Sequence, residues 1–128
     1  KVQATPAAAR GQGYYKLAMY REAVRELEQA LKLDPEDDLT RTYLAMAYLR
    51  TGQIQDAYRQ FQLLAPLTED LRIKSISYQV MGCIHAQNQN LEQAARYFRK
   101  ALLTAPAGSA VAVPVELWSF RHMDEELC

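Results

Sequence analysis

Apolar residues recur along this chain with a helical period, in short amphipathic stretches cut by turn residues. The clearest stretch is YREAVRELEQALKLDP, from Tyr20 to Pro35. Ala23, Leu27 and Ala30 fall on one helical face, with charged residues opposite. Asp34-Pro35 stops the run, because a proline cannot continue a helix. The pattern returns at Ile54 as IQDAYRQFQLLAPLTE, with Ala57 and Phe61 in the places of Ala23 and Leu27. It returns again at Leu91 as LEQAARYFRKALLTAP, with Ala94, Phe98, Ala101 and Pro106. Upstream residues repeat in the same register: Gly11, Ala45 and Gly82, then Tyr14, Tyr48 and His85, offset by 34 and then 37 residues. Several columns sharing one offset point to stacked supersecondary units.

The pattern predicts six helices. Thr5 can cap the first and Pro6 suits its opening turn; it runs to about Ala18. The second spans Tyr20 to about Leu33, with Glu28 and Lys32 four apart in the favourable order. Asp37 or Asp38 caps the third, which ends at Arg50, and Gly52 supplies a left-handed stop. The fourth covers about Gln53 to Ala65. Thr68 is expected to cap the fifth, Glu69 to Gln87, and Asn88 to Asn90 make a turn into the sixth, Leu91 to Thr104. The small residues have a packing reason. Gly11, Ala45 and Gly82 let two helices approach, and Ala23, Ala57 and Ala94 do the same from the partner helix; larger side chains would overpack at ~1–3 kcal/mol.

After Pro106 the composition shifts to AGSAVAVPVELWSFRHMDEELC. Val113, Leu117, Phe120, Met123 (or Asp124) and Leu127 follow helical spacing, with Pro114 in the first turn. Three readings stay open for this C-terminal helix, about 109–127. It caps the last exposed core face, as repeat arrays require. It makes a dimer contact, with Trp118 and Phe120 as interface residues. Or it enters a groove of the array.

The repeated columns resemble the tetratricopeptide repeat, a helix–turn–helix unit of about 34 residues with the pattern W-x2-L-G-x2-Y…A-x3-F…P. The resemblance runs from about Ala4 to Pro106. Four columns depart from it. The leading aromatic is Ala7, Arg41 and Tyr78, and the usual leucine is Arg10, Leu44 and Met81. The second copy carries Leu64 where the others have Ala30 and Ala101, and Glu69 where they have Pro35 and Pro106; its proline comes early, at Pro66. The resemblance implies an all-α solenoid: a right-handed superhelix of three helix-turn-helix repeats, about 4–37, 38–71 and 72–108, with a C-terminal capping helix, all in one domain over 1–128. It also implies a concave face lined by the first helix of each repeat. Carried onto this sequence, that partner-binding groove shows Gln12, Tyr15 and Lys16, then Leu39, Thr42, Tyr43, Met46, Leu49 and Arg50, then Ile76, Gln79, Val80, Cys83 and Gln87. Such a surface suits an extended or helical peptide with apolar anchors. Chaperone-binding members of the family grip a C-terminal carboxylate with a clamp of Lys, Asn, Asn, Lys and Arg. The matching places here hold Ala8, Gln12, Tyr43, Ile76 and Val80, so no tight binding to acidic chaperone tails is expected.

Charge and chemistry narrow the picture further. Fifteen basic and fifteen acidic residues cancel over 128 residues, so no global field favours nucleic acid or a membrane surface. The longest uncharged run, Ala101 to Val115, is too short to span a membrane and is broken by Pro106 and Pro114. The chain opens on Lys1 with no apolar signal core, as a trimmed or mature fragment would. Cys83 and Cys128 are far apart and make no disulfide framework; as free thiols they lean to a reducing, cytoplasmic compartment, with a periplasmic or membrane-associated parent chain as the alternative. No phosphate loop, H-E-x-x-H or C-x-x-C is present. His85 and His122 do not make a metal site by spacing, and His85, in the tyrosine column, reads as a packed core histidine. Glu36-Asp37-Asp38 and Asp124-Glu125-Glu126 read as solvated turn and tail residues, and Arg96, Arg99 and Lys100 as a solvated helix face. No catalytic residues, metal or cofactor are therefore expected. The function expected is a non-catalytic module binding a protein partner, as adaptor, assembly factor or chaperone. The alternatives are a self-associating scaffold and the regulatory fragment of a larger enzyme.

Overall fold

A computed structural model describes residues 5–106, which form six α-helices and, among these residues, no strand. The helices are α1 (Pro6–Lys16), α2 (Tyr20–Leu33), α3 (Asp38–Arg50), α4 (Ile54–Leu67), α5 (Leu71–Gln87) and α6 (Leu91–Thr104). The expected C-terminal helix lies outside the described residues. The chain divides into two compact units, residues 1–60 and 61–128, with the division inside α4.

In the first unit α1 and α2 form a tight hairpin. Thr5 caps α1 by accepting from the Ala8 N–H at 3.1 Å. A Cβ on Gly11 would lie 2.5 Å from Leu27 Cγ and Cδ2, so only glycine permits this approach. Ala7, Ala8 and Ala30 are buried together beside it. The turn needs one left-handed residue, and Ala18 takes it at φ 62°. Arg10 and Glu26 bridge the hairpin's surface at 3.0 Å.

Asp37 caps α3, accepting from the Thr40 N–H at 3.1 Å and the Thr40 hydroxyl at 2.8 Å. The Tyr48 hydroxyl donates to Glu28 of α2 at 2.6 Å, so the carboxylate that the sequence pairs with Lys32 serves a contact between helices. Burial and that neighbouring carboxylate hold the Tyr48 phenol well above its ordinary pKa. Arg41 donates to the Gln60 side chain at 2.7 Å and to the Pro35 carbonyl at 2.9 Å. That explains an arginine in the family's aromatic column. Thr42 to Leu49 are eight consecutive buried residues, so α3 is covered on every side. Gly52 ends this segment at φ 82°, as the sequence predicts.

In the second unit, Phe61, Leu64 and Ala65 of α4 are buried. The helix does not stop at Ala65 but continues through Pro66 to Leu67. The Thr68 N–H closes its last turn by donating to the Leu64 carbonyl at 2.9 Å. The cap of α5 is Asp70 rather than Thr68, and the helix accordingly starts two residues later than expected. Asp70 Oδ1 accepts from the N–H groups of Arg72 and Ile73 at 2.9 and 3.4 Å, while Thr68 Oγ1 accepts from the Asp70 N–H at 3.2 Å. Both are good capping residues; the carboxylate, two residues nearer the apolar run, reaches the free amides first.

α5 and α6 pack along one stripe. The Ser75 hydroxyl donates to the Ala101 carbonyl at 2.9 Å. Tyr78 stacks on Tyr97 with centroids 6.1 Å apart, and His85 stacks on the same ring at 5.5 Å and 8°. A Cβ on Gly82 would meet the Phe98 ring at 2.8 Å. Gln89 takes the left-handed turn position at φ 66°.

Candidate partner-binding face

The groove residues follow helical spacing on the first helix of each hairpin, and the structure places them unevenly. In the first unit Tyr15, Thr42, Tyr43, Met46 and Leu49 are buried, Gln12, Leu39 and Arg50 half-buried, and Lys16 exposed. Tyr43 and Met46 are 1% and 0% exposed. The aromatic residues make a connected edge-on chain. Tyr15 meets Tyr20 at 5.2 Å and 65°, and Tyr43 at 5.5 Å and 80°, geometries that match ring edges to ring faces.

A cleft of about 450 Å³ opens where the α1–α2 turn meets the end of α3, lined by Ala18, Met19, Tyr20, Arg21, Glu22, Arg50 and Thr51. The Arg50 guanidinium sits over the Tyr20 ring, 5.4 Å from its centroid, and its Nε is buried with no hydrogen-bond partner among the described residues. Sequence reasoning placed Arg50 on the face but missed Tyr20. That residue opens the second helix, and the repeat pattern assigns the face to first helices alone.

In the second unit Ile76, Val80 and Cys83 are buried, Gln79 half-buried and Gln87 exposed. Cys83 is disulfide-bonded, which corrects the expectation of a free thiol there; Cys128 lies outside the described residues. His85 is held against Tyr97, and Asn90 Nδ2 lies 3.3 Å from its Nδ1. Arg96, Arg99 and Lys100 are exposed, as expected of a solvated helix face, and Lys100 also lies over the rings of Tyr78 and Tyr97 at 5.5 and 5.7 Å. Among the described residues no group of three or more acidic, histidine or cysteine side chains could hold a metal, and no helix is long and apolar enough to cross a membrane. Trp118 and Phe120 lie outside the described residues.

A family model described as tetratricopeptide repeat matches residues 6–76, and a second of the same description matches 76–107. The chain belongs to the tetratricopeptide repeat family. No individually curated protein matches it significantly. Membership accounts for the all-α helical repeat fold and for the glycine and alanine columns at the helix crossings. Tetratricopeptide repeats are in general protein–protein interaction modules without catalysis, which sets the class of partner for this chain.

Proposed function

We propose that this tetratricopeptide repeat chain is a non-catalytic adaptor, assembly factor or chaperone that takes an apolar peptide or helix from a partner protein. We read the chain as three repeats, about 4–37, 38–71 and 72–108, in one domain. The binding residues are those on the first helices: Gln12, Tyr15, Lys16, Leu39, Thr42, Tyr43, Met46, Leu49 and Arg50 in one unit, and Ile76, Gln79, Val80, Cys83 and Gln87 in the other. The observation that carries this reading is the chemistry of the clamp positions. Ala8, Tyr43, Ile76 and Val80 are apolar or aromatic and buried, so a carboxylate there would be desolvated with no charged partner. A partner segment would instead meet the accessible residues of the same helices, Gln12, Lys16, Leu39 and Arg50 in one unit and Gln79 in the other. Cytoplasmic placement loses its ground once Cys83 is bonded, because disulfides persist mainly in oxidising compartments.

A photo-crosslinker placed at Gln12, Leu39 or Gln79 tests the reading. Crosslinks to a partner protein are expected from these positions and not from Arg25 or Arg96. The reverse pattern overturns it. Truncating Tyr43 and Met46 is the wrong test, since at such burial each opens a core cavity at ~2–5 kcal/mol.

A second reading, self-association, has its own observation. Leu102 and Leu103 at the end of α6 are 79% and 81% exposed, and Leu91 at its start is also exposed. Light scattering over a wide concentration range checks it: a monomer throughout removes the scaffold.

A further inference from the structure

We infer that the cleft at the α1–α2 turn holds an acidic side chain of the partner segment, with the Arg50 guanidinium as its ion-pair partner. This rests on the binding of a protein segment proposed above and adds the chemistry of one anchor: a glutamate or aspartate with apolar neighbours. Arg50 ends α3 and Tyr20 opens α2, so the pair lies within the first unit. The Tyr20 ring is itself held, edge-on against the buried Tyr15 at 5.2 Å, and the Arg50 guanidinium lies over it. Stacking uses the flat face of a guanidinium and leaves the N–H donors around its edge unused. Here they remain unused: Nε is buried without an acceptor, and no carboxylate among the described residues pairs with Arg50. A buried donor that water does not reach gains more from one good acceptor than an exposed donor does.

The cleft beside this stack suits a single side chain and part of its neighbours. It has a volume of about 450 Å³, with Met19 and Tyr20 as apolar lining and Arg21 and Arg50 as cations. Arg21, too, has no ion pair among the described residues. The first turn of α2 borders the cleft without a side-chain cap, so its amide dipoles favour the same sign of ligand. Glu22 also lines the cleft. Two guanidiniums against one carboxylate suit a monoanion, whereas a phosphate dianion would meet Glu22 with about twice the repulsion. That selects a carboxylate over a phosphorylated residue. Its two oxygens accept from the Nε–H and one Nη–H of Arg50 in the side-on, two-bond geometry. Ala8 and Tyr43, the clamp positions of this unit, carry no charge, so the acidic anchor lies at the helix ends instead.

Nuclear magnetic resonance titration of the isotopically labelled chain with the peptide acetyl-Leu-Glu-Leu amide tests this. The Arg50 Nε–H signal and the amides of Tyr20, Arg21 and Glu22 should shift saturably. The glutamine and phosphoserine analogues of the peptide should bind several-fold more weakly. Arg50→Gln should abolish the saturable shift at the α2 amides. Glu22→Gln should tighten binding several-fold, and it keeps the test open should the arginine variant fail to fold. No saturable shift, equal binding of the glutamine peptide, tighter binding of the phosphoserine peptide, shifts that persist in Arg50→Gln, or binding no tighter in Glu22→Gln overturns the inference. The titration uses no natural partner. Crosslinks from Gln12 and Leu39 with no shift at Arg50 would remove the anchor alone; a shift at Arg50 with the reverse crosslinking pattern would remove the binding face alone.

Discussion

The α1–α2 and α5–α6 hairpins solve one packing problem with different residues. Each puts a glycine under the partner helix, but Gly11 faces Leu27, which is fully buried, whereas Gly82 faces Phe98, whose ring is half-exposed. Each needs one left-handed turn residue, and neither uses glycine: Ala18 and Gln89 stand in the column where α3–α4 has Gly52. The first hairpin is closed by aliphatic contact and the third by aromatic stacking on Tyr97. Sequence columns therefore conserve the space available rather than the contact made, and the tolerance of a position depends on whether its neighbour can move.

The sharpest way to break this comparison is a Cβ at each glycine. Gly11→Ala should destabilise by ~3 kcal/mol, the upper end of overpacking, because Leu27 has nowhere to go. Gly82→Ala should cost ~1 kcal/mol, since the Phe98 ring can swing towards solvent. Urea unfolding of both variants checks the order; equal losses would end the argument about mobile neighbours.

The tyrosine column gives the next effect. Tyr48→Phe removes the bond to Glu28 and should cost ~1 kcal/mol. The raised Tyr48 pKa favours the protonated phenol in the folded state. Its contribution is thus complete below about pH 10, the unfolded value, and is lost as pH climbs from there towards the folded value. Thermal melts of wild type should fall more steeply above pH 10 than those of Tyr48→Phe. His85, in the same column, supplies no such phenol.

The smallest effects belong to the turns. Ala18→Gly and Gln89→Gly should each stabilise by ~0.5–1 kcal/mol by relieving a left-handed non-glycine residue, while Gly52→Ala should lose about as much. Gains at both alanine and glutamine would show that the turns are equivalent; a gain at one alone would separate the hairpins further.

Most of the fold was legible because its signals are local. The helical period, the proline stops and the small-residue columns placed α2, α3 and α6 at or within a residue of their observed ends. The entry to α5 was less legible, because Thr68 and Asp70 both carry capping side chains two residues apart. The exit of α4 was misplaced because Pro66 reads as a stop, although a proline in a last turn forfeits only one hydrogen bond. The candidate face was legible as positions but not as surface. Spacing put Tyr43, Met46, Val80 and Cys83 on one side of their helices; it carried no sign that this side is buried.

The amino-acid sequence on its own determined the repeat, its register and the family, since these depend on spacing within one helix pair. Tertiary structure alone decided the pairing of Glu28 with Tyr48, the stacking of Arg50 on Tyr20 and the burial of Ile76, Val80 and Cys83. Each joins residues on different helices or distant in the chain, and such contacts depend on where helices lie in space, which no periodicity within a helix encodes.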